Sequence, residues 1–174
     1  MLLRVRQECS LDYDVVYRLV KMSFATSAHR DGTEQDYLDA LRKRDVFIPE
    51  LSLVAENNDG LIVGQIVLYK TVISTLEGDL CELMLSPICV HPKFFRQGIA
   101  RAMIREALRI AKNMGFKAVF LCGDPMIYEK LGFTPSYHYN IFHKRDETKT
   151  AKWSMVQELY SGALNNISGT IDTI

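Results

Sequence analysis

The sequence predicts an α/β fold of the α+β or mixed type, and three observations carry that prediction. Short segments in which apolar and polar residues alternate indicate strands, and longer segments with apolar residues at helical spacing indicate helices. Asp59-Gly60 between two β-rich runs favours the φ > 0 geometry of a hairpin turn. A chain of 174 residues, 48% of them hydrophobic, has the length and apolar content of one domain, which we expect to span residues 1–174.

The first part of the chain predicts one strand and two helices. Residues 3–6 alternate apolar and charged side chains, as a half-buried strand does. A helix is predicted from Asp12, with an apolar stripe formed by Val15, Val16, Leu19, Val20 and Phe24. Residues 28–32 break this pattern, and a second, shorter helix is predicted from Thr33.

The middle of the chain predicts a hairpin, further strands and the longest helix. The predicted strands occupy residues 51–56, 61–73, 80–90 and 118–122. Between the last two, apolar residues recur at helical spacing over residues 98–114, and the helix is predicted to end near Gly115.

The last part of the chain predicts a short helix and two more strands. Gly123-Asp124-Pro125 interrupts the pattern, and residues 126–131 predict a helix that Gly132 closes. Strands are predicted at residues 137–142 and 153–159, and the polar tail after Gly162 is predicted to be loop.

The composition excludes several classes of partner. Lys plus Arg and Asp plus Glu number 21 each, whereas nucleic-acid binding requires a basic face. The four cysteines lack the CxxC spacing of a zinc site, so we expect reduced thiols and a cytoplasmic protein. No leader pattern and no run of about 20 apolar residues occurs, so no membrane association is expected.

A metal site is not predicted. Cys89 and His91 are two residues apart and can share one face of a strand, and His138 and His143 follow later in the chain. No third ligand accompanies either pair, whereas a zinc site needs three or four protein ligands.

The start of the longest predicted helix has an unusual composition. Arg96, Gln97 and Gly98 precede it, where a hydroxyl or carboxylate cap is the ordinary choice. A helix N-terminus offers unpaired N–H groups and a partial positive charge, so an anion such as a diphosphate can replace the missing cap. The alternative is a surface turn whose amides bind water. Neither a P-loop nor a dinucleotide fingerprint occurs in the chain.

Two segments resemble motifs of the GNAT acetyltransferase superfamily. Residues 88–92, which lead to Gly98-Ile99-Ala100, resemble motif A, and residues 128–133, Tyr-Glu-Lys-Leu-Gly-Phe, resemble motif B. The resemblance covers residues 3–142. It implies a mostly antiparallel central sheet that is split by a bulge at the fourth strand and has helices on both faces. It also implies acetyl-CoA as cosubstrate and an N-acetyltransferase activity.

The resemblance implies a set of cofactor-binding residues. In the family, main-chain amides of the motif A turn bind the pyrophosphate of coenzyme A (CoA). Gly98 and Ala100 match two motif positions, whereas Phe95 stands where the family has Gln or Arg. The residues implied to bind the cofactor are Ile88, Cys89, Val90, Phe95, Arg96, Gln97, Gly98, Ile99, Ala100, Arg101, Tyr128 and Lys130.

Pro87 lies inside the strand at residues 80–90 and cannot donate a ladder hydrogen bond, so a break or bulge in the pairing is expected there. By resemblance, the freed main-chain groups of residues 88–90 pair with the pantetheine arm, and one amide polarises the acetyl carbonyl. The alternative is a proline on an edge strand.

Tyr128 occupies the position of the family's general acid. A phenol pKa of about 10 against about 8.5 for a thiol makes complete proton transfer to the thiolate unfavourable, so a hydrogen bond to the departing sulfur is the expected role. The alternative for this aromatic residue is packing. Cys89 and Cys122 lie on apolar strands, where cysteine is ordinarily inert, so no covalent intermediate is expected.

The acceptor amine must lose a proton before it attacks, and the base is not evident from the sequence. Glu82, Glu34 and His29 are the candidates, and each has a structural or solvent-exposed alternative. The expected reaction is direct transfer through a tetrahedral intermediate to a primary amine of a small molecule or peptide. The rival reading is a non-catalytic acyl-CoA sensor or partner-binding module. The resemblance also suggests a homodimer.

Overall fold

A computed structural model describes residues 3–25 and 32–173. Its helices are α1 (Tyr13–Phe24), α2 (Glu34–Leu41), α3 (Ile99–Asn113) and α4 (Pro125–Tyr128). Its strands are β1 (Arg4–Gln7), β2 (Phe47–Glu56), β3 (Ile62–Thr75), β4 (Gly78–Val90), β5 (Ala118–Cys122), β6 (Thr134–Pro135), β7 (Ile141–His143), β8 (Ser154–Glu158) and β9 (Gly169–Ile171). Within these described ranges, no helix combines the length and apolar character that a membrane span needs.

The chain forms two compact units. The first contains the described residues of 1–68 together with 86–110, and the second contains 69–85 and the described residues of 111–174. β3, β4 and α3 each contribute residues to both units, because the division falls inside these three elements.

The first unit has the strand order β1-β2-β3-β4. β1 and β2 are antiparallel, with Val5 opposite Ala55. Helix α3 packs closely on β3, because a Cβ at Gly64 would lie 2.9 Å from Met103 Cε and 3.1 Å from Ile99 Cγ2. A glycine at this position therefore lets the apolar face of α3 approach the sheet.

A buried ion pair stabilises the first unit beside α2. Arg42 Nη2 lies 2.6 Å from Glu8 Oε1, and the two side chains are 5% and 1% exposed. Ser52 Oγ donates to the other carboxylate oxygen of Glu8 at 2.7 Å. Removal of one partner from such a pair typically costs about 3–5 kcal/mol, because it leaves a buried charge without compensation.

The second unit has the strand order β4-β5-β8-β6. β4 and β5 are parallel, with Leu83 opposite Val119, whereas β5 pairs with β8, and β6 with β8, in antiparallel fashion. β9 is antiparallel to β3 and parallel to β7. Of the six strand pairs described here, four are antiparallel and two are parallel, which confirms the mixed, mostly antiparallel α/β fold class.

Most of the predicted elements are confirmed at the predicted places. The turn between β2 and β3 is closed by Gly60 N–H, which donates to the Asn57 carbonyl at 3.1 Å. Helix α3 ends before Gly115, which has a left-handed φ of 90°. The short helix before Gly132 divides into α4 and a 3-10 turn at Glu129–Leu131.

Two predictions near the C-terminal end are wrong. The strand predicted at residues 137–142 begins only at Ile141, because Ser136–Tyr139 form a 3-10 helix that Asn140 terminates in the left-handed region, with φ 57°. The tail predicted as loop contains β9, which pairs with β3 and β7.

Candidate active site

The turn between β4 and α3 belongs to the first unit. His91 N–H donates to the Val63 carbonyl at 2.8 Å and so holds the end of β4 on β3. A 3-10 turn follows at Pro92–Phe94, and His91 Nδ1 caps it by accepting from Lys93 N–H at 3.1 Å. The chain is thus fixed on the sheet before it turns into α3.

The turn then passes through two left-handed residues. Arg96 has φ 61° and Gly98 has φ 81°. Glycine adopts this conformation without steric cost, whereas an ordinary residue such as Arg96 adopts it only where the surroundings demand it. Apart from Gly98 itself and its two chain neighbours, no described residue has an atom within 4 Å of the position that a Cβ on Gly98 would occupy. The main chain of the turn is therefore open on that side.

The N-terminal amides of α3 are available to an anion by helix geometry. Ala102 N–H donates to the Gly98 carbonyl at 3.0 Å, which is the first bond of the helix. The amides of residues 98–101 precede that bond and have no intrahelical acceptor. Arg101 and Arg105, both exposed, line a cavity of about 540 Å³ beside Gly98, together with Leu3, Val5, Ala102 and Glu106.

The other residues expected around this turn differ in exposure. Phe95 is 51% exposed, and Arg96 and Gln97 are exposed as well. Ile99 is buried and contributes packing, whereas Ala100 is half-buried. The side chains of these residues therefore differ in how accessible they are to a ligand, and the main-chain amides are the donors that the turn has in common.

The end of β4 contains the segment expected to bind pantetheine. Ile88 and Val90 are half-buried, and Cys89 is buried between them. The Ser86-Pro87 peptide is cis. In the second unit, the residues of β4 that pair with β5 are Leu83 and Met84, which precede this proline. The bulge expected at Pro87 stays a prediction. Burial raises the pKa of the Cys89 thiol to about 12, so this cysteine is protonated at neutral pH and a poor nucleophile.

A polar cluster beside Cys89 was missed by sequence reasoning. The Ser23 hydroxyl and the main chain of Gln65 adjoin the Cys89 thiol and oppose the effect of burial on its pKa. Among the described residues, neither side-chain amide atom of Gln65 has a hydrogen-bond partner, although both atoms are buried. A glutamine inside the otherwise apolar start of β3 was the available sequence signal.

Tyr128 belongs to the second unit, at the end of α4. Asp124 caps this helix, because its Oδ1 accepts from Met126 N–H at 2.9 Å. The Tyr128 ring is half-buried and meets the Phe133 ring edge to face at a centroid distance of 5.9 Å. Burial raises the pKa of the Tyr128 phenol above its ordinary value, so the hydroxyl carries its proton at neutral pH and can donate it in a hydrogen bond. Lys130, two residues further on, is exposed.

Glu82 contributes a buried carboxylate to the second unit. Its Oε2 accepts from the N–H groups of Lys117 and Ala118 at 2.9 and 3.1 Å, which fixes the start of β5. Burial raises the pKa of Glu82, and the two amide bonds oppose that effect. Glu34, in the first unit, lies half-buried in the first turn of α2. His29 lies outside the described residues.

Over residues 3–25 and 32–173, no three or more His, Cys, Asp or Glu side chains converge on one point.

Comparison with known proteins agrees with this architecture. The family described as "Acetyltransferase (GNAT) domain" matches residues 49–135. The uncharacterized N-acetyltransferase YhbS of Escherichia coli (strain K12) is 29% identical over 168 residues, which cover 97% of this chain and 94% of that protein.

Two solved structures extend the comparison. The crystal structure of Escherichia coli YhbS in complex with CoA is 25% identical, has a TM-score of 0.86, and covers 99% of this chain and 89% of its own. A GNAT family acetyltransferase from Brucella melitensis in complex with acetyl-CoA is 28% identical, with a TM-score of 0.69, over 76% of this chain and 82% of its own. Since the family match spans residues 49–135, half of the chain, the chain belongs to the GNAT family of acetyltransferases.

Proposed function

We propose that this protein uses acetyl-CoA to acetylate a primary amine of a small molecule or peptide by direct transfer. Membership of the GNAT family makes the protein an acyltransferase. The similar proteins from Escherichia coli and Brucella melitensis bind CoA and acetyl-CoA, which supports the same cosubstrate here.

The open turn before α3 is the observation that carries this proposal. Four N-terminal amides, the left-handed Gly98 and the exposed Arg101 suit a diphosphate, because amide donors and a guanidinium can neutralise and bind its oxygens together. The open space at Gly98 lets a phosphate approach the main chain. We assign the side chains of Arg96, Gln97 and Lys130 to secondary contacts with the cofactor.

The thioester end of the cofactor is assigned to two further groups. Main-chain groups of residues 88–90 pair with the pantetheine arm, and one amide polarises the acetyl carbonyl. The neutral amine attacks that carbonyl, a C–N bond forms, and the C–S bond breaks as the tetrahedral intermediate collapses. The Tyr128 hydroxyl donates a hydrogen bond to the departing thiolate, which agrees with its protonated state.

An acceptor that is an ammonium at neutral pH loses one proton before it attacks and a second one as the adduct becomes the amide. Glu82 and Glu34 are the proposed bases for the first proton, and the second passes to the departing thiolate or to water. Glu82→Gln retains an oxygen that accepts from the amides of Lys117 and Ala118, so it removes the charge while keeping the local structure. Loss of the base lowers turnover by about 10²-fold or more. Glu34→Gln is the matched variant for the other candidate. If the turnover of one of these two variants equals that of the wild type, the glutamate replaced in it is not the base.

An acyl-CoA sensor is the second candidate function, and two observations favour it. Phe95 is 51% exposed and offers no donor to a phosphate, and the Glu82 carboxylate is already bound to two amides. A panel of spermidine, tyramine, lysine and a peptide with a free N-terminus distinguishes the two functions. An enzyme releases CoA thiol from acetyl-CoA in the presence of an amine, whereas a sensor binds acetyl-CoA and releases none.

Calorimetric titration tests the anion site itself. We expect CoA to bind at least about tenfold more tightly than pantetheine, because only CoA carries the diphosphate that the charge-assisted bonds recognise. Arg101→Ala is expected to reduce this difference, with Arg109→Ala, on the same helix but ion-paired to Glu106, as the control. Absence of CoA binding at millimolar concentration would refute the proposal.

The remaining expectations stay predictions. They are the single domain over residues 1–174, the cytoplasmic location and the homodimer. Size-exclusion chromatography with light scattering measures the last of these directly.

A further inference from the structure

We propose that Gly123 is a positioning residue whose missing side chain makes the space that orients the Tyr128 ring. The proposal rests on the function proposed above, in which the Tyr128 hydroxyl binds the departing thiolate. It adds a residue outside the expected cofactor and catalytic set, and every contact that carries it lies in the second unit.

The space at Gly123 is filled by the Tyr128 ring. A Cβ built on Gly123 would lie 2.3 Å from Tyr128 Cε2 and 2.7 Å from Tyr128 Cδ2. It would also lie 3.1 Å from Leu121 Cδ1. Distances below 3.0 Å between such carbon atoms are not tolerated, so any side chain at position 123 displaces the ring or the main chain.

The backbone conformation does not require glycine at position 123. The φ of Gly123 lies outside the left-handed region, in contrast to Gly132, whose φ is 97°. Alanine at position 123 therefore avoids the cost of a left-handed φ, and the main obstacle is the aromatic ring, with Leu121 Cδ1 a lesser one. Glycine is needed at position 123 because it leaves space for the Tyr128 ring, and not because the main chain adopts a left-handed conformation there.

The main chain at Gly123 is held in place. Gly123 N–H donates to the Trp153 carbonyl at 2.8 Å, directly after the last β5–β8 pair, Cys122 and Ser154. This bond ties position 123 to the sheet. An added methyl group is therefore expected to push the ring rather than the strand.

The Tyr128 ring is also confined by its own helix and by Phe133. Tyr128 N–H donates to the Asp124 carbonyl at 3.1 Å, and the Tyr128 carbonyl accepts from Phe133 N–H at 3.1 Å. The Phe133 ring meets the tyrosine ring at 80°. With Gly123 on one side and Phe133 on another, the hydroxyl has a defined position, and a displacement of about 1 Å in a reacting group costs on the order of 10²-fold in rate.

The test is a cycle of four proteins: wild type, Gly123→Ala, Tyr128→Phe and the double variant. Turnover is followed as thiol release from acetyl-CoA with the most reactive amine of the panel above. We expect Gly123→Ala to lower kcat by about 10- to 100-fold, with the Kd for CoA within twofold of wild type. In the Tyr128→Phe background, the same substitution is expected to cause no further loss, because the hydroxyl that it displaces is already absent.

A second cycle measures the contact without any acceptor. Gly123→Ala is expected to lower the Tm by about 2–10 °C in the wild-type protein and by much less in a Tyr128→Ala background, where the ring is gone. Gly115→Ala is the control. It strains a residue with φ 90° in open space, so it lowers the Tm in both backgrounds and leaves kcat within twofold.

The outcomes separate this proposal from the function on which it rests. A loss of kcat from Gly123→Ala that is equally large in the Tyr128→Phe background would refute positioning by Gly123 and leave the role of Tyr128 intact. Unchanged kcat in Tyr128→Phe would refute the role of Tyr128, and the positioning role with it. An equal fall in Tm with and without the ring would refute the contact.

Discussion

Two turns connect a strand to a helix at the proposed functional groups, and a glycine lies in each. Gly98, between β4 and α3, has a left-handed φ of 81° and open space where its side chain would be. Gly123, between β5 and α4, has no left-handed φ, and the Tyr128 ring fills the corresponding space. The same residue type thus supplies main-chain freedom at one turn and room for a side chain at the other.

This difference matches the chemistry that we assign to each turn. A diphosphate is recognised by main-chain donors, so the first turn keeps its backbone exposed and its side chains outside. A departing thiolate needs one hydroxyl at one place, so the second turn encloses an aromatic ring. Substitutions at the two turns should therefore separate cofactor affinity from turnover.

Tyr128→Phe should have the largest effect and should act on turnover alone. The phenylalanine keeps the ring in the space at Gly123 and deletes only the hydroxyl, so we expect kcat to fall by about 10²- to 10⁴-fold. The Kd for CoA, measured by calorimetry, should stay within twofold. A Kd that rises as steeply as kcat falls would show that the hydroxyl binds the cofactor in the ground state.

Gly98→Ala and Gly98→Asn should lower the affinity for CoA and leave turnover at saturating cosubstrate unchanged. Alanine is strained at φ 81°, by about 1–2 kcal/mol, whereas asparagine tolerates the left-handed region. We expect both variants to weaken CoA binding by about tenfold, because either side chain occupies the space through which a phosphate reaches the backbone. Only Gly98→Ala should also lower the Tm appreciably.

The hairpin glycine is the matched control for Gly98. Gly60 has φ 74° and open space around it, so Gly60→Ala adds the same strain at a site that we assign no ligand. It should lower the Tm and leave CoA affinity unchanged. Wild-type affinity in both Gly98 variants would contradict a diphosphate at this turn.

The sequence predicted the elements whose signals are local. Apolar spacing over residues 98–114 and the turn at Asp59-Gly60 involve near neighbours, and both are confirmed. The strand expected at residues 137–142 failed because the left-handed Asn140 ends a 3-10 helix that the aromatic pattern does not reveal. β9 escaped prediction because three residues of the tail become a strand only through pairing with β3 and β7, which are distant in the sequence.

The same rule separates the predicted and the missed parts of the site. The turn at residues 96–98 was predicted because its residue types are themselves the signal. The contact of Gly123 with Tyr128 depends on how α4 leaves β5, and the cluster of Ser23, Gln65 and Cys89 depends on how separate elements pack together. Neither arrangement can be deduced from residue spacing alone.

Phe95→Gln should strengthen CoA binding at the turn between β4 and α3, by a smaller factor than the Gly98 variants weaken it. Phe95 is exposed and stands where the family has a polar side chain, so glutamine can add one hydrogen bond to a phosphate oxygen. One such bond contributes about 0.5–1.5 kcal/mol, which corresponds to about a two- to tenfold lower Kd for CoA. Phe95→Leu, which adds no donor, is the control. Equal affinities in these two variants would place the side chain of residue 95 away from the phosphates.

The smallest expected effect is one on stability: separately from any role as the base, Glu82 should make stability depend on pH in the unit that carries the second turn, and Glu82→Gln should remove that dependence. Burial raises the pKa of Glu82, so the folded protein keeps this proton at pH values where the unfolded chain, with a glutamate pKa of about 4.3, has lost it. The unfolded chain then binds fewer protons, and this residue makes the free energy of unfolding fall as pH rises from about 4.3 through the raised pKa. Glutamine keeps an acceptor for the amides that start β5 and abolishes this fall, whereas Glu77→Gln on the exposed β3–β4 turn should leave it unchanged. Urea unfolding at a series of pH values measures the difference, and an unaltered slope in Glu82→Gln would mean that another group, rather than this carboxylate, takes up the proton.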